Sequence, residues 1–261
     1  METHADHIHK APGKGWKHYF FEFLMLFLAV FCGFLAEYQL EHKIEKDREI
    51  QFMQTMVEDL KSDTAQLSRL IRGRKSRIRG LDTLFVLIAS DEYLKEGRKV
   101  YELYENPYWD ILRFFPSDRT MQQLKNGGNL RLIRNKNVSN ALIAYDVWVR
   151  NRKEYEPLQA ELANGMNQYL EKLLDPGIID DATRAYTYKQ LEADTSIARS
   201  DRMDLPAIIT ISKLAATDKK AILKYINQVK TIYLETMRDN MSEKKQAVKT
   251  LALITLEYHI N

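Results

Sequence analysis

A chain of 261 residues and 30.6 kDa is long enough for one large domain or two modest ones around a sizeable core. Charged residues make up 29% of it against only 10 Gly and 6 Pro, which excludes collagenous, low-complexity and disulfide-stapled classes and disfavours turn-rich all-β folds. The 39 basic and 36 acidic side chains leave a net charge of +3, too little for a polyelectrolyte argument toward nucleic acid, and the lone Cys32 excludes an internal disulfide or a cysteine-built zinc site.

Mean hydropathy is −0.43, yet the apolar residues are unevenly spread. Residues 23–36 are 14 consecutive apolar residues or glycine. That run alone spans only ~21 Å as a helix, but residues 19–40, interrupted by Glu22, Glu37 and Gln39, reach about 33 Å and match a bilayer core. Trp16 and Tyr19 stand at one end and Tyr38 at the other, where interfacial aromatics belong. A cleaved signal peptide competes with this reading, although no A-x-A-like site follows; a buried helix of a soluble protein is the other competitor. The expectation is an uncleaved single-pass anchor in the bacterial inner membrane. Lys10, Lys14 and Lys17 precede it, while Lys43, Lys46 and Arg48 follow, so the basic count is tied. The short tail, residues 1–18, favours a cytoplasmic N-terminus and a periplasmic C-terminal domain.

At 100° per residue, Phe20, Phe23, Phe27, Phe31 and Phe34 share one face of this helix, and Glu22, Leu26, Ala29, Gly33 and Ala36 the opposite one. Ala29 and Gly33 form a small-xxx-small pair that lets another helix approach closely, and an acid on that face needs a partner or water. These five residues are the candidate helix-packing face, toward another transmembrane protein or a second copy. The competing reading is that Glu22 reaches the headgroups and Gly33 is incidental.

Residues 41–80 read as a helical stalk without Gly or Pro before Gly73. Met53, Val57, Leu60, Thr64, Leu67 and Ile71 alternate by 4 and 3, as in a coiled-coil seam or a bundle helix. Residues 81–261 form an extramembrane α-helical domain. Within it, residues 84–89 are an apolar core run, and residues 93–104 are helical despite Gly97. Trp109, Ile111, Leu112, Phe114 and Phe115 cluster before Pro116, and Ser117 caps a short helix ending at Gly127 and Gly128. Helix resumes near Val138 and reaches Leu174, split or kinked at Pro157. Residues 182–191 are helical, Asp204 caps a segment with Pro206 in its first turn, Thr217 or Asp218 caps the next helix, and Ser242 starts the last. Residues 208–212 are β-branched but have no second strand to pair with. The fold class is all-α: one N-terminal transmembrane helix continuing into a stalk and an irregular bundle.

No GxSxG, HExxH, Walker or GxGxxG pattern is present. Past the anchor the only histidines are His42 and His259, so a histidine-based acid/base or metal site is not expected; His4, His7 and His9 read as a disordered tail, and Asp180 and Asp181 as a solvated loop. No catalytic, cofactor or metal residue is assigned. Arg69, Arg72, Arg74, Lys75, Arg77 and Arg79 place six cations in eleven residues, a candidate patch for an anionic partner or a solvated face. Nucleic acid is disfavoured because no aromatics interleave them.

Residues 120–145, TMQQLKNGGNLRLIRNKNVSNALIAY, with MVEDLKSD at 56–63, resemble stretches of uncharacterised single-pass proteins of Bacteroidota. That resemblance implies an envelope protein with a short basic N-terminus and one anchor, and carries no activity; the Phe-rich anchor departs from its Ile/Val-rich counterpart. Read physically, Leu124, Leu130, Leu132 and Ile133 bury, Arg131 and Arg134 face outward, and the glycines reverse the chain. A membrane-anchored interaction or scaffold protein is the leading functional expectation, an accessory subunit of an envelope complex; a sensor bundle binding a small ligand is the runner-up and an enzyme third.

Overall fold

The computed structural model describes residues 15–104, 112–151, 155–175, 177–178 and 209–260. Every regular element among them is helical: α1 (Trp16–Ala89), a 3₁₀ turn (Glu92–Leu94), α2 (Gly97–Tyr104), α3 (Arg119–Asn126), a second 3₁₀ turn (Asn129–Leu132), α4 (Lys136–Arg150), α5 (Tyr155–Leu170) and α6 (Ala216–Tyr258). The all-α expectation holds. The segments expected at residues 182–191 and around Asp204 and Pro206 lie outside the described residues, as do Trp109, Ile111, Asp180 and Asp181.

The chain divides into two compact units, Met1–Phe52 and Met53–Asn261, and α1 runs through both without a linker. In the first unit α1 is apolar and long enough to cross a membrane, and none of its apolar window is buried within the structure. Rings four residues apart stack along one side, with centroids 6.2 Å apart for Phe23 and Phe27 and 6.0 Å for Phe27 and Phe31.

The second unit starts earlier than the expected end of the stalk. Met53, Met56, Leu60, Leu67, Leu81, Leu84 and Ile88 are all buried, so residues 53–80 belong to its core. Alternating steps of three and four place these positions on one stripe of α1. The stripe differs from the seam read in the sequence: Met56, Asp63 and Leu70 occupy it, and Thr64 and Ile71 are only half-buried.

The main partner of this stripe is α6. Arg74 Nε donates to Thr236 Oγ1 at 3.0 Å, Asp82 pairs with Lys230 at 2.8 Å, and Asp91 pairs with Lys219 at 2.8 Å. Residue numbers rise on α1 as they fall on the other side, so the two elements run antiparallel. Ile222, Ile226, Val229 and Tyr233 of α6 join Leu81, Leu84 and Ile88 in the larger hydrophobic core, with Val100, Tyr101, Met166, Leu170 and Ile211. Tyr101 donates its hydroxyl to the Asp175 carbonyl at 2.9 Å, and burial raises its pKa above the ordinary tyrosine value. A smaller cluster joins Leu67, Leu70 and Phe114, whereas Phe115 is 68% exposed.

Helix ends depart from the sequence reading in instructive ways. Ser117 does not cap α3, whose N-cap position is Asp118 and carries no side-chain cap bond. The orphan N–H of Thr120 is instead taken by Asp59 of α1 at 3.2 Å. Asn135 caps α4, accepting from the N–H groups of Asn137 at 2.9 Å and Val138 at 3.2 Å. The long helix expected to kink at Pro157 is broken before it, and Pro157 sits in the first turn of α5, where a missing N–H costs nothing. Neither Thr217 nor Asp218 caps α6, which starts at Ala216 and passes through Ser242 unbroken; its heptad stripe against α1 outweighs a local start signal. Residues 209–215 form no strand, and Ser212 N–H bonds the Leu173 carbonyl at 3.3 Å.

Gly97 opens α2 because a Cβ there would stand 2.0 Å from the Ile209 carbonyl oxygen, closer than any side chain tolerates. Gly97→Ala is expected to lower stability by about 1–3 kcal/mol, the usual cost of overpacking a rigid contact. Thermal unfolding followed by circular dichroism checks this; an unchanged midpoint would show that the approach is not rigid.

Candidate functional site

Three features carry polar or apolar groups that the fold alone does not consume: the anchor face, the basic run of α1, and a cavity in the second unit.

On the anchor, Leu26 is 66% exposed, and Glu22, Ala29, Gly33 and Ala36 are exposed as well. A Cβ built on Gly33 meets nothing within 4 Å. The face is therefore uncovered by the rest of the chain.

The basic run does not act as one patch. Arg74 and Arg77 are turned into the second unit, at 4% and 5% exposure. Arg74 donates Nη2 to the Leu112 carbonyl at 2.9 Å besides its bond to Thr236, and Arg77 lies 5.9 Å from the centroid of the Tyr233 ring. Both occupy heptad positions of the buried stripe, which is why they leave the surface. Arg69, Arg72, Lys75 and Arg79 stay exposed on the outer side and make no ion pair among the described residues. The candidate anionic patch is thus reduced from six cations to four.

Two stretches that carry the family resemblance meet at a pair of buried acids on α1. Asp59, 6% exposed, accepts from the Thr120 N–H and hydroxyl and from Arg119 Nη2 at 3.3 Å. Asp63, 1% exposed, accepts from the Ser117 N–H at 2.8 Å and the Tyr145 hydroxyl at 2.6 Å. The acids thus fix α3 and α4 onto α1. Burial pushes the Asp63 carboxyl above the ordinary aspartate range, against the lowering effect of its hydrogen bonds to Tyr145 and Ser117. Gly128 takes φ +62° at the reversal after α3, and Leu124, Leu132 and Ile133 are buried while Arg131 and Arg134 face outward, as the sequence indicates. Leu130 is half-buried.

The cavity, about 610 Å³, lies between α3, α4, α5, α6 and the segment 112–118, with Arg74 of α1 at its wall. Leu112, Phe114, Met121 and Val149 give it an apolar side. Asp146 holds two of its cations, Lys125 and Arg150, each at 2.9 Å, and Glu156 pairs with Arg113 at 3.1 Å. Asp239 makes no ion pair among the described residues. Gln159 is 3% exposed, and its Nε2 finds no acceptor. None of these cavity residues was singled out from the sequence, because they come from five elements whose adjacency no local pattern encodes. The described residues contain no group of three or more His, Cys, Asp or Glu arranged to hold a metal ion.

Neither a protein-family model, nor a curated protein, nor a solved structure matches the chain.

Removing the Asp63 carboxylate strands two donors. Asp63→Ala is expected to cost about 2–4 kcal/mol, from roughly 1–3 kcal/mol per buried unsatisfied group. The pH dependence has a definite sign. The folded carboxyl titrates above the unfolded one, so the contribution of Asp63 is largest below the ordinary aspartate value and falls as pH rises through the folded value. Denaturant unfolding of the parent chain and Asp63→Asn at about pH 4 and about pH 7 should show the parent's stability, relative to the variant, declining toward neutral pH. The opposite slope would mean that the hydrogen bonds outweigh burial.

Proposed function

We propose that the chain is a membrane-anchored helical interaction protein, an accessory or scaffold subunit of a bacterial inner-membrane complex. One observation carries this reading. The apolar segment of α1 keeps its side chains exposed, and nothing else in the chain covers them. Exposed apolar surface on this scale needs lipid or protein around it. In this reading residues 19–40 lie in the bilayer, the aromatic side meets lipid, and Glu22, Leu26, Ala29, Gly33 and Ala36 meet a helix of another protein or a second copy. The short N-terminal tail lies in the cytoplasm and the helical unit in the periplasm, and the resemblance to single-pass Bacteroidota proteins fits the same arrangement.

A second reading, a helical bundle that binds a small ligand, is favoured by the cavity with its unused amide donor and carboxylate.

Alkaline carbonate extraction should leave the full chain in the membrane pellet, and protease added to spheroplasts should digest the helical unit. After gentle detergent extraction, Gly33→Ile and Glu22→Leu should each lower recovery of the partner severalfold without lowering membrane retention. Unchanged assembly in both variants would refute the packing face, and release into the carbonate supernatant would refute the anchor.

A further inference from the structure

The cavity has a directional chemistry. At its inner end the Thr236 hydroxyl accepts from Arg74 and donates to the Ile232 carbonyl at 2.8 Å, so both its functions are used. Gln159 Nε2 is a donor without an acceptor, enclosed within a few per cent of full burial. Leaving such a group unsatisfied costs about 1–3 kcal/mol, which a ligand supplying an acceptor would recover. Arg74, beside it in the lining, adds positive charge in a setting of low solvent access. This end suits a carboxylate.

The same cavity does not suit a simple anion. Asp239 lines it one turn beyond Thr236 on α6 and has no counter-ion among the described residues. Lys125 and Arg150 offer little compensation, since both are held by Asp146. A carboxylate entering alone would face Asp239; one that brings its own ammonium group would satisfy it. Between the two ends, Phe114, Met121 and Val149 form an apolar wall. The 610 Å³ volume exceeds that of a single small amino acid and leaves room for a large side chain or a second residue.

We propose that the cavity binds a zwitterion of the α-amino-acid type, either a free amino acid with a large apolar side chain or a short apolar peptide. Its carboxylate lies toward Gln159 and Arg74, its ammonium toward Asp239, and its side chain on Phe114, Met121 and Val149. The inference rests on the ligand-binding reading of the second unit and names the ligand class for it.

The test uses the full chain in detergent and isothermal titration calorimetry with five probes: L-phenylalanine, L-leucine, the dipeptide Leu-Phe, 3-phenylpropionate (no ammonium) and phenethylamine (no carboxylate). At least one of the three zwitterions should bind, and both phenyl analogues should bind at least tenfold more weakly than it. Asp239→Asn should weaken the zwitterion about tenfold and leave 3-phenylpropionate no weaker. Gln159→Leu should weaken the zwitterion about tenfold and leave phenethylamine unchanged, with helicity and melting midpoint confirming that each variant folds. Equal binding of the one-charge analogues, or variants that bind like the parent, overturns the zwitterion. A thermal-shift panel of small metabolites with no hit overturns the ligand-binding reading as well. A hit confined to other chemistry overturns only the ligand class.

Discussion

The second unit depends on one stripe of α1 finding its complement in α6 of the same chain. Met53, Leu60, Leu67, Leu81, Leu84 and Ile88 on one element and Ile222, Ile226, Val229, Tyr233, Ala247 and Ile254 on the other are all buried. Burying a Leu or Ile side chain is worth about 1.5–3 kcal/mol each, so this pairing dominates any local preference. α6, at 43 residues or roughly 65 Å, is long enough to flank the buried part of α1. A start signal such as Ser242 is overridden inside it, since breaking there would separate Asn240 and Glu243 from Ala247 and Thr250 on a continuous buried stripe.

The middle of that stripe is polar, and the polarity has a purpose that apolar residues could not serve. Arg74, Arg77, Thr236, Asn240 and Glu243 are all buried there. Two apolar stripes can slide by a heptad at little cost, whereas the Arg74 bond to Thr236 exists in one alignment only. Such groups lower the gross stability of the pair and raise the cost of misalignment. The cavity opens beside this section, with Arg74 and Thr236 in its wall, so the place where packing is least apolar is also where a ligand can be met.

Elements governed by local periodicity were legible in the sequence; those governed by distant partners were not. The anchor, the continuity of helix past it, the core run around Leu84 and Ile88, and the reversal at Gly128 all follow from spacing or from one residue's conformational freedom. The true bundle stripe was hidden because Asp63, Arg74 and Arg77 occupy it. Reading charge as exposure therefore shifted the seam to Thr64 and Ile71 and counted two buried arginines into a surface patch. The caps show the same limit. Ser117 looked sufficient for α3, but Asp59, sixty residues upstream, takes the Thr120 N–H instead. Paired acids four residues apart on α1 were visible, though nothing near them announced what they would hold.

The anchor poses a different balance from the bundle, because lipid is as apolar as any protein side chain. Phe23, Phe27 and Phe31 already stack on one another along the helix, so a partner placed on that side would displace acyl chains without adding much contact. On the opposite side, Ala29 and Gly33 leave the backbone within reach, and close approach raises the number of van der Waals contacts per residue. Glu22 adds a polar reason to the same preference, since a carboxyl facing acyl chains is costly and one facing a donor on a neighbouring helix is not. The two sides of the helix are thus unequal in what association can gain, and the gain lies with the small residues.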